Sequence, residues 1–260
     1  MRHAFALLAA ALLLCPMSAM ADEEPDIKFF YPVVTRRPVI ERELETSFQH
    51  SKSREGRASQ FSGALEWPIT PWWQVEVEMP FLYRNPNDAA STAGPGDLEL
   101  QNKFLLWKSV QHLVLVSGGF ELRLPSGSER RGLGGEIAIE PFVTGGIGLG
   151  PFDVIAAIAY EWNLNNVRGP REQQLTADLA VGWPLSRWFT PFLELNTVSK
   201  IQGQEGEDAV KLRGRTQLYL TPGFNVRPLP GATFRMGVEL PVSGRREFDY
   251  RIHAGLVWEF

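Results

Sequence analysis

The sequence has a single cysteine and no excess of basic side chains. Among its 260 residues, 26 are Lys or Arg, 30 are Asp or Glu, and the one cysteine is Cys15. A formal net charge of -4 disfavours a general nucleic-acid binder, whose surface would need clustered positive charge. Because Cys15 falls in a leader that we expect to be removed, disulfides and cysteine-based metal sites are excluded from the mature chain.

The only long apolar run stands at the beginning of the chain. Residues 4–14 are apolar, follow a basic residue and lead into small residues that end at Ala21. This order is typical of a secretory signal peptide, so we predict that residues 1–21 are cleaved during export. A lipoprotein is disfavoured, because Leu14 stands where a small residue would have to precede the lipidated cysteine.

After residue 21 no stretch of about 18 apolar residues remains, so a transmembrane helix is not available to the exported chain. Alternation of apolar and polar positions takes its place, most clearly from Phe248 to Phe260. Segments of about ten residues with this alternation predict tilted membrane strands. We predict twelve strands, near residues 39–49, 57–67, 73–83, 96–107, 112–125, 135–146, 152–162, 172–183, 190–200, 212–222, 232–242 and 248–260.

The predicted fold is therefore all-β, an antiparallel up-and-down transmembrane β-barrel of about twelve strands. Short turns alternate with longer polar loops, and every tryptophan except Trp162 falls at the short-turn rim. Indole rings concentrate at bilayer interfaces, which favours a membrane barrel over a soluble one. An even strand number places both termini at the short-turn, periplasmic rim. Residues 22–38 are then a periplasmic N-terminal tail, and residues 39–260 are the barrel in the bacterial outer membrane.

Two tracts resemble known proteins. The ending Gly255–Phe260 resembles the C-terminal strand signal that the outer-membrane barrel assembly machinery reads. The tract Gly94-Pro95-Gly96-Asp97-Leu98, which opens a strand after a long loop, resembles the outer-membrane channel-like family linked to the MetA pathway of phenol degradation. The resemblance implies a porin-like barrel in outer-membrane lipid that passes small-molecule solutes, with aromatic or hydrophobic compounds among them, and it supplies no catalytic residues. The expected assembly-signal residues are Tyr250, Ile252, Leu256, Trp258 and Phe260.

Two other classes of protein remain open. A lipid-modifying barrel enzyme could use the run His50-Ser51-Lys52-Ser53, although its spacing is not that of the barrel phospholipases. A structural barrel would instead have a lumen filled by paired side chains. The histidines of the mature chain are too scattered to form one metal site, so neither a metal nor a cofactor is expected.

Acidic residues dominate the predicted lumen face. An excess of carboxylates favours water inside and passage of cations or neutral solutes, whereas cross-strand pairing would make the lumen a polar core. Strand parity is unclear in residues 96–107 and 112–125, where Leu105 and Leu113 fall on the wrong face. The predicted lumen-lining residues are Glu41, Glu43, Glu45, Glu76, Glu78, Glu136, Glu140, Asp153, Arg215, Arg235, Glu239, Asp249 and Arg251.

Overall fold

The chain folds into one antiparallel sheet that closes on itself. The computed structural model describes residues 27–165, 173–202, 215–243 and 246–260, so the predicted signal peptide lies outside the described residues. The strands are β1 (Glu43–Lys52), β2 (Gly56–Thr70), β3 (Trp73–Pro86), β4 (Thr92–Pro95), β5 (Leu98–Ser109), β6 (Val114–Leu124), β7 (Ala138–Leu149), β8 (Phe152–Asn163), β9 (Gln173–Gly182), β10 (Phe189–Gln202), β11 (Arg215–Leu229), β12 (Ala232–Pro241) and β13 (Tyr250–Glu259).

The wall of the barrel has twelve strands. β1 pairs with β2 on one side and with β13 on the other, so that Glu43 lies opposite both Glu66 and Glu259 and the sheet has no free edge there. The short strand β4 pairs only with the loop-side end of β3 and does not enter the wall. The predicted antiparallel twelve-stranded barrel is thus confirmed. Among the described residues, no helix is long and apolar enough to cross a membrane.

The two rims differ as the sequence predicted. Short turns join β2 to β3, β5 to β6, β7 to β8, β9 to β10 and β11 to β12, and the barrel also begins and ends at this rim. The longer connections lie at the opposite rim, which also carries the short turn between β1 and β2. The connection between β6 and β7 contains a 3₁₀ turn, Glu129–Arg131. We call these the turn rim and the loop rim. That the turn rim faces the periplasm stays a prediction.

Side chains alternate across the wall. Phe61 is 54% exposed on the outer face, while the adjacent Ser62 is 1% exposed on the inner face. One irregularity explains the unclear parity of the fourth predicted strand: the pairing of β5 with β6 shifts between Leu105 and Trp107. A bulge inserts one extra residue and reverses the faces beyond it. Leu105 therefore points inward and Trp107 outward. Leu113 lies in the turn before β6 with a positive φ of 50°.

Residues 27–42 run through the inside of the barrel, and we call this segment the plug. Its backbone and side chains contact inward-facing residues of β3, β6, β7, β10, β11 and β12. The sequence predicted a periplasmic tail for residues 22–38; the structure differs for residues 27–38, which lie in the lumen. Residues 22–26 are outside the described part of the chain.

Candidate functional site: a plugged polar lumen

The turn-rim half of the lumen is an apolar seat for the plug. Phe29, Phe30 and Val39 of the plug are buried against a ring of wall residues. Those wall residues are Leu115, Ile155, Ala180 and Phe192. The burial of such aromatic and aliphatic surface is the main stabilising contribution that this segment can gain.

Two glycines in the wall leave room for the plug aromatics. A Cβ at Gly146 would stand 2.6 Å from Cε2 of Phe29, and one at Gly182 would stand 2.4 Å from Cδ1 of Phe30. Real Cβ atoms do not approach carbon so closely, so a larger residue at either position would displace a phenylalanine ring of the plug. The wall and the plug are complementary in shape at this level.

Side chains of the wall form hydrogen bonds with backbone N–H and C=O groups of the plug. Glu194 of β10, which is 0% exposed, accepts hydrogen bonds from the backbone N–H groups of Val33 and Thr35, both at 2.7 Å. Ser117 and Thr144 donate to the carbonyl oxygens of Pro38 and Arg36, both at 2.5 Å. Buried backbone groups must find partners, and here the barrel supplies them without extending its sheet.

Arg36 brings positive charge to an acidic part of the wall. Its guanidinium lies 3.1 Å from Oε2 of Glu121 and 2.5 Å from Oε1 of Glu140, and it also donates to Gln101. Burial alone would lower the pKa of Arg36, but these carboxylates and Glu76 raise it above its ordinary value. Arg36 is therefore charged whenever the plug is in place.

A second charged cluster closes the turn rim. Arg37 contacts Glu41 and Glu43 at 3.1 Å each. The phenol oxygen of Tyr31 lies 2.6 Å from Glu43 and 2.8 Å from Glu259, and its one proton is shared between these two carboxylates. Burial raises the pKa of the Tyr31 hydroxyl above its ordinary value, against the opposing effect of Arg37, so this hydroxyl remains a donor.

The same three carboxylates have the spacing of a cation site. Ligand oxygens of Glu41, Glu43 and Glu259 lie within 4.8 Å of one another. Arg37 and Tyr31 already bind them from the plug, and Lys28 forms an ion pair with Glu259 at 2.5 Å. The protein itself thus supplies partners for all three carboxylates, and their spacing alone does not indicate a metal ion.

Above the plug lies a polar cavity of about 430 Å³, which we call the lumen cavity. Its described lining includes nine acidic and five basic side chains. Two of the five, Arg36 and Arg37, come from the plug, so the wall alone is more acidic than the plugged barrel. Six of the predicted lumen residues line this cavity: Glu43, Glu45, Glu76, Glu78, Glu140 and Arg235.

Other predicted lumen residues occupy different levels of the barrel. Asp153 lies below the plug in a cavity of about 420 Å³ at the turn rim, together with Lys28 and Phe30. Glu239 of β12 is buried and binds His253 at 3.0 Å and Arg251 at 3.3 Å.

Three predicted positions belong to the loop rim or are not described. Glu136 lies in the loop between β6 and β7, with its carboxylate 3.6 Å from Arg123. Asp249 forms an exposed ion pair with Arg246 at 2.7 Å just before β13. The side chain of Arg215 lies outside the described residues.

Several lumen-facing charges were not predicted from the sequence. Glu99 and Lys103 of β5 and Glu121 of β6 line the lumen cavity, in strands whose parity the β5 bulge obscured. Arg36 and Arg37 escaped because the plug was taken for a tail. One sequence feature could have indicated the plug. Residues 27–42 are mainly apolar and basic, and this composition complements the apolar and acidic positions on the inner face of the wall.

The residues proposed for an enzyme do not assemble into a nucleophile and base. His50 Nδ1 lies 2.9 Å from Oγ of Ser59, on the neighbouring strand, and not beside Ser51 or Ser53. Ser53 is occupied in the β1–β2 turn, where its Oγ accepts from the N–H of Glu55 at 3.1 Å. Among the described contacts, no acid or amide orients the other ring nitrogen of His50, as a hydrolytic triad requires.

The residues of the expected assembly signal lie on the last strand. Leu256, Trp258 and Phe260 are exposed on the outer face, and the rings of Phe260 and Trp67 are 6.3 Å apart. Tyr250 and Ile252 continue the same alternate positions toward the loop rim. Recognition of this strand by the assembly machinery stays a prediction.

These features define a class of protein: a closed antiparallel barrel with an apolar outer surface and a polar lumen, which is the fold of outer-membrane channels. A crystal structure of an outer membrane channel from Pseudomonas putida F1 is similar, with a TM-score of 0.71, 15% sequence identity, and coverage of 90% of this chain and 100% of that one. The NanC porin matches with a TM-score of 0.60 and 11% identity over 84% of this chain and 100% of its own. The KdgM porin matches with a TM-score of 0.54 and 11% identity, over 84% of this chain and 99% of its own.

The chain belongs to the family described as "Putative MetA-pathway of phenol degradation", whose model matches residues 47–250. This confirms the resemblance that the Gly94–Leu98 tract indicated. The matched range begins within β1, so the plug lies outside it. No curated protein matches the sequence.

Proposed function

We propose that this chain is a passive channel for small molecules in the outer membrane, and that the plug sets the width of its passage. The observation that carries the proposal is a continuous polar interior. The lumen cavity and a cavity of about 680 Å³ at the loop rim share Gln49 and Gln60 as lining residues. Below them the interior is obstructed by residues of the barrel's own N-terminal segment.

The polar contacts of the plug are of a kind that can be exchanged for water. Within residues 27–42 no strand pairs with the wall. Apart from the bond that the Phe260 N–H donates to the Arg42 carbonyl at 3.2 Å, the described hydrogen bonds of the plug backbone with the wall run to separate side chains such as Glu194 and Ser117. Each can be replaced by water without opening the sheet. The acidic wall becomes hydrated when Arg36 withdraws, so an open lumen is polar and passes small hydrophilic or amphipathic solutes.

A reversible cross-link tests the role of the plug. Cγ2 of Val33 lies 2.9 Å from the position that a Cβ at Gly237 would occupy. A cysteine sulfur at residue 33 that takes the place of Cγ2 would lie within reach of a cysteine at residue 237, so we choose the double variant Val33→Cys/Gly237→Cys for a disulfide. Apart from these, the sequence has only Cys15, in the predicted leader. We expect the oxidised double variant to conduct less and to pass less arabinose into liposomes than after reduction.

The two single-cysteine variants are the controls, since neither can form the cross-link. Equal conductance before and after reduction, with the disulfide verified by mass, would refute movement of the plug. A purified barrel that never conducts, locked or released, would be a structural barrel with a filled lumen, which is the alternative that the docked plug favours.

The location is tested by labelling. Ala89 is exposed at the loop rim, between β3 and β4, and Arg187 is exposed at the turn rim, between β9 and β10. We expect Ala89→Cys to react with an impermeant thiol reagent on intact cells and Arg187→Cys to react only after permeabilisation. The reverse pattern would invert the barrel in the membrane.

A further inference from the structure

The cavity at the loop rim, which we call the mouth cavity, has a different charge from the lumen cavity below it. It is bounded by the inner faces of β1, β2 and β3, by β13, and by the loop between β6 and β7. Among its described lining residues there is one acid, Glu55. The basic lining residues are Arg57, Arg84, Arg130, Arg131 and Arg251.

Two of these arginines, Arg84 and Arg251, lie on inner strand faces at the mouth, and Arg130 and Arg131 border it from the loop between β6 and β7. Arg84 shares the inner face of β3 with Leu82, because Phe81 and Tyr83 between and beside them are exposed on the outer face. Arg251 is held at the inner face of β13 by Glu239, and its guanidinium lies 4.0 Å from the ring centre of Phe248. Arg57 alternates onto the outer face of β2 and does not belong to the inner wall of the mouth.

The loop that carries Arg130 and Arg131 is fixed in place. The buried carboxylate of Asp97 accepts hydrogen bonds from the backbone N–H groups of Gly127, Gly135 and Glu136, at 2.8, 2.9 and 2.9 Å. Three such bonds gather both ends of the loop onto one carboxylate. The two exposed arginines thus project from a closed loop of defined shape. A ligand that binds them therefore costs less conformational entropy than one that binds to a flexible loop.

Apolar side chains make up part of the remaining lining of the mouth cavity. Ala58, Leu82, Pro86, Ala89 and Ala90 form this part, among polar residues that include the serines of β1 and β2. A wall of this kind accepts the hydrocarbon part of a ligand, while planar guanidinium groups bind carboxylates through paired hydrogen bonds. The two features select one chemical class, an apolar body that carries an anionic group.

We propose that the mouth cavity is a binding site for small organic anions, with Arg130 and Arg131 as the principal contacts of the anionic group. This proposal depends on the proposed function in one respect only, namely that the solute reaches the barrel from the side of the mouth cavity. The acidic lumen cavity lies beneath the site, so the sign of the charge reverses along the passage at the level of Gln49 and Gln60. The mouth therefore concentrates anions, and the lumen cavity separately sets the selectivity for inorganic ions.

Binding to the purified full-length barrel in detergent tests this site independently of conduction. Benzoate is the probe, and benzyl alcohol is its neutral counterpart of similar shape. We expect titration calorimetry to detect benzoate and not benzyl alcohol, with affinity that falls as salt screens the exposed arginines. The variant Arg130→Gln/Arg131→Gln should weaken benzoate binding at least about tenfold, because it removes two charge-assisted contacts.

The matched control is Arg54→Gln/Arg187→Gln, which removes two exposed arginines that do not line the mouth cavity. It should leave benzoate affinity within about twofold of the unaltered protein, since surface charges outside the site contribute little. If both double variants weaken benzoate binding equally, the effect results from net charge and the proposed site is refuted. Equal affinity for benzoate and benzyl alcohol would overturn the anionic class.

Arabinose uptake by the same preparation in liposomes tests the channel separately. A barrel that passes arabinose but does not bind benzoate would refute the binding site and leave the proposed channel function intact.

Discussion

Asn225 of β11 holds both backbone polar groups of Tyr31 in the plug. Its Oδ1 accepts from the Tyr31 N–H at 2.7 Å, and its Nδ2 donates to the Tyr31 carbonyl at 2.8 Å. One side-chain amide thus replaces the two hydrogen bonds that a neighbouring strand would offer. The plug is docked as a ligand is docked, by individual side chains of a preformed wall.

This arrangement predicts that Asn225→Ala loosens the plug. Two buried backbone groups lose their partners, and each unsatisfied group costs about 1–3 kcal/mol. We expect a higher mean conductance in planar bilayers and faster proteolysis near residue 31. Asn196→Ala is the control, because Asn196 faces the same lumen but bonds Asp178 and Thr221 of the wall. If Asn225→Ala behaves like the control, the contact of Asn225 with Tyr31 does not contribute to closure.

The acidic wall predicts a cation preference that depends on Glu76 and Glu78. Both line the lumen cavity, whereas Glu43 is bound to the plug and its replacement would also disturb closure. We expect Glu76→Gln/Glu78→Gln to reduce the cation preference measured as a reversal potential in a salt gradient. The reduction should be largest at low salt, where screening is weakest.

The control for this measurement is Asp88→Asn/Glu129→Gln, which removes two exposed acids that do not line the lumen cavity. It should leave the reversal potential unchanged. An unchanged reversal potential in a conducting Glu76→Gln/Glu78→Gln variant would take both carboxylates out of the ion path.

The hydrogen bonds of Asp97 predict that Asp97→Ala releases the loop between β6 and β7. Leu133, which is 1% exposed, would lose its fixed position, and the bonds of Arg130 and Arg131 to the following residues would become open to trypsin. We expect cleavage at this loop to accelerate at least about tenfold, since a rigid loop must first unfold locally to be cut. Asp88→Ala, at an exposed position of the neighbouring loop, should leave the rate unchanged.

The position of Glu41 predicts that closure depends on pH. Burial raises the pKa of Glu41 from 4.5 to about 7, and Arg37 opposes this only in part; Glu43, Glu259 and Tyr31 face the same carboxyl. A raised pKa in an acid means that the docked plug favours the protonated form. This contribution to closure is complete below about pH 4.5 and is lost as the pH rises to about 7.

We therefore expect mean conductance to rise between pH 5 and pH 8, and Glu41→Gln to remove part of that rise. The glutamine side chain remains neutral at every pH, so the variant should resemble the protein at low pH. The same pH response with and without Glu41 would assign the titration to another group.

The sequence by itself determined the barrel. The alternation from Phe248 to Phe260 arises because successive side chains of a pleated strand face lipid and a polar interior in turn. Such a strand can therefore be recognised in the sequence without knowledge of any tertiary contact. Strand number, the two kinds of rim and the sorting of the tryptophans are local or periodic properties of the chain. The Gly94–Leu98 tract likewise indicated the family.

Only the tertiary structure decided where residues 27–42 lie and which charges meet. The pairing of Arg36 with Glu140 joins residues that are far apart in the sequence, and no local pattern distinguishes a tail from a plug. The bulge at Leu105 reversed the face of β5 by one residue, which concealed Glu99 and Lys103. The mouth cavity depends on Asp97 folding a distant loop inward. Such contacts depend on the closure of the sheet, because it alone brings opposite walls and the N-terminal segment within reach of one another.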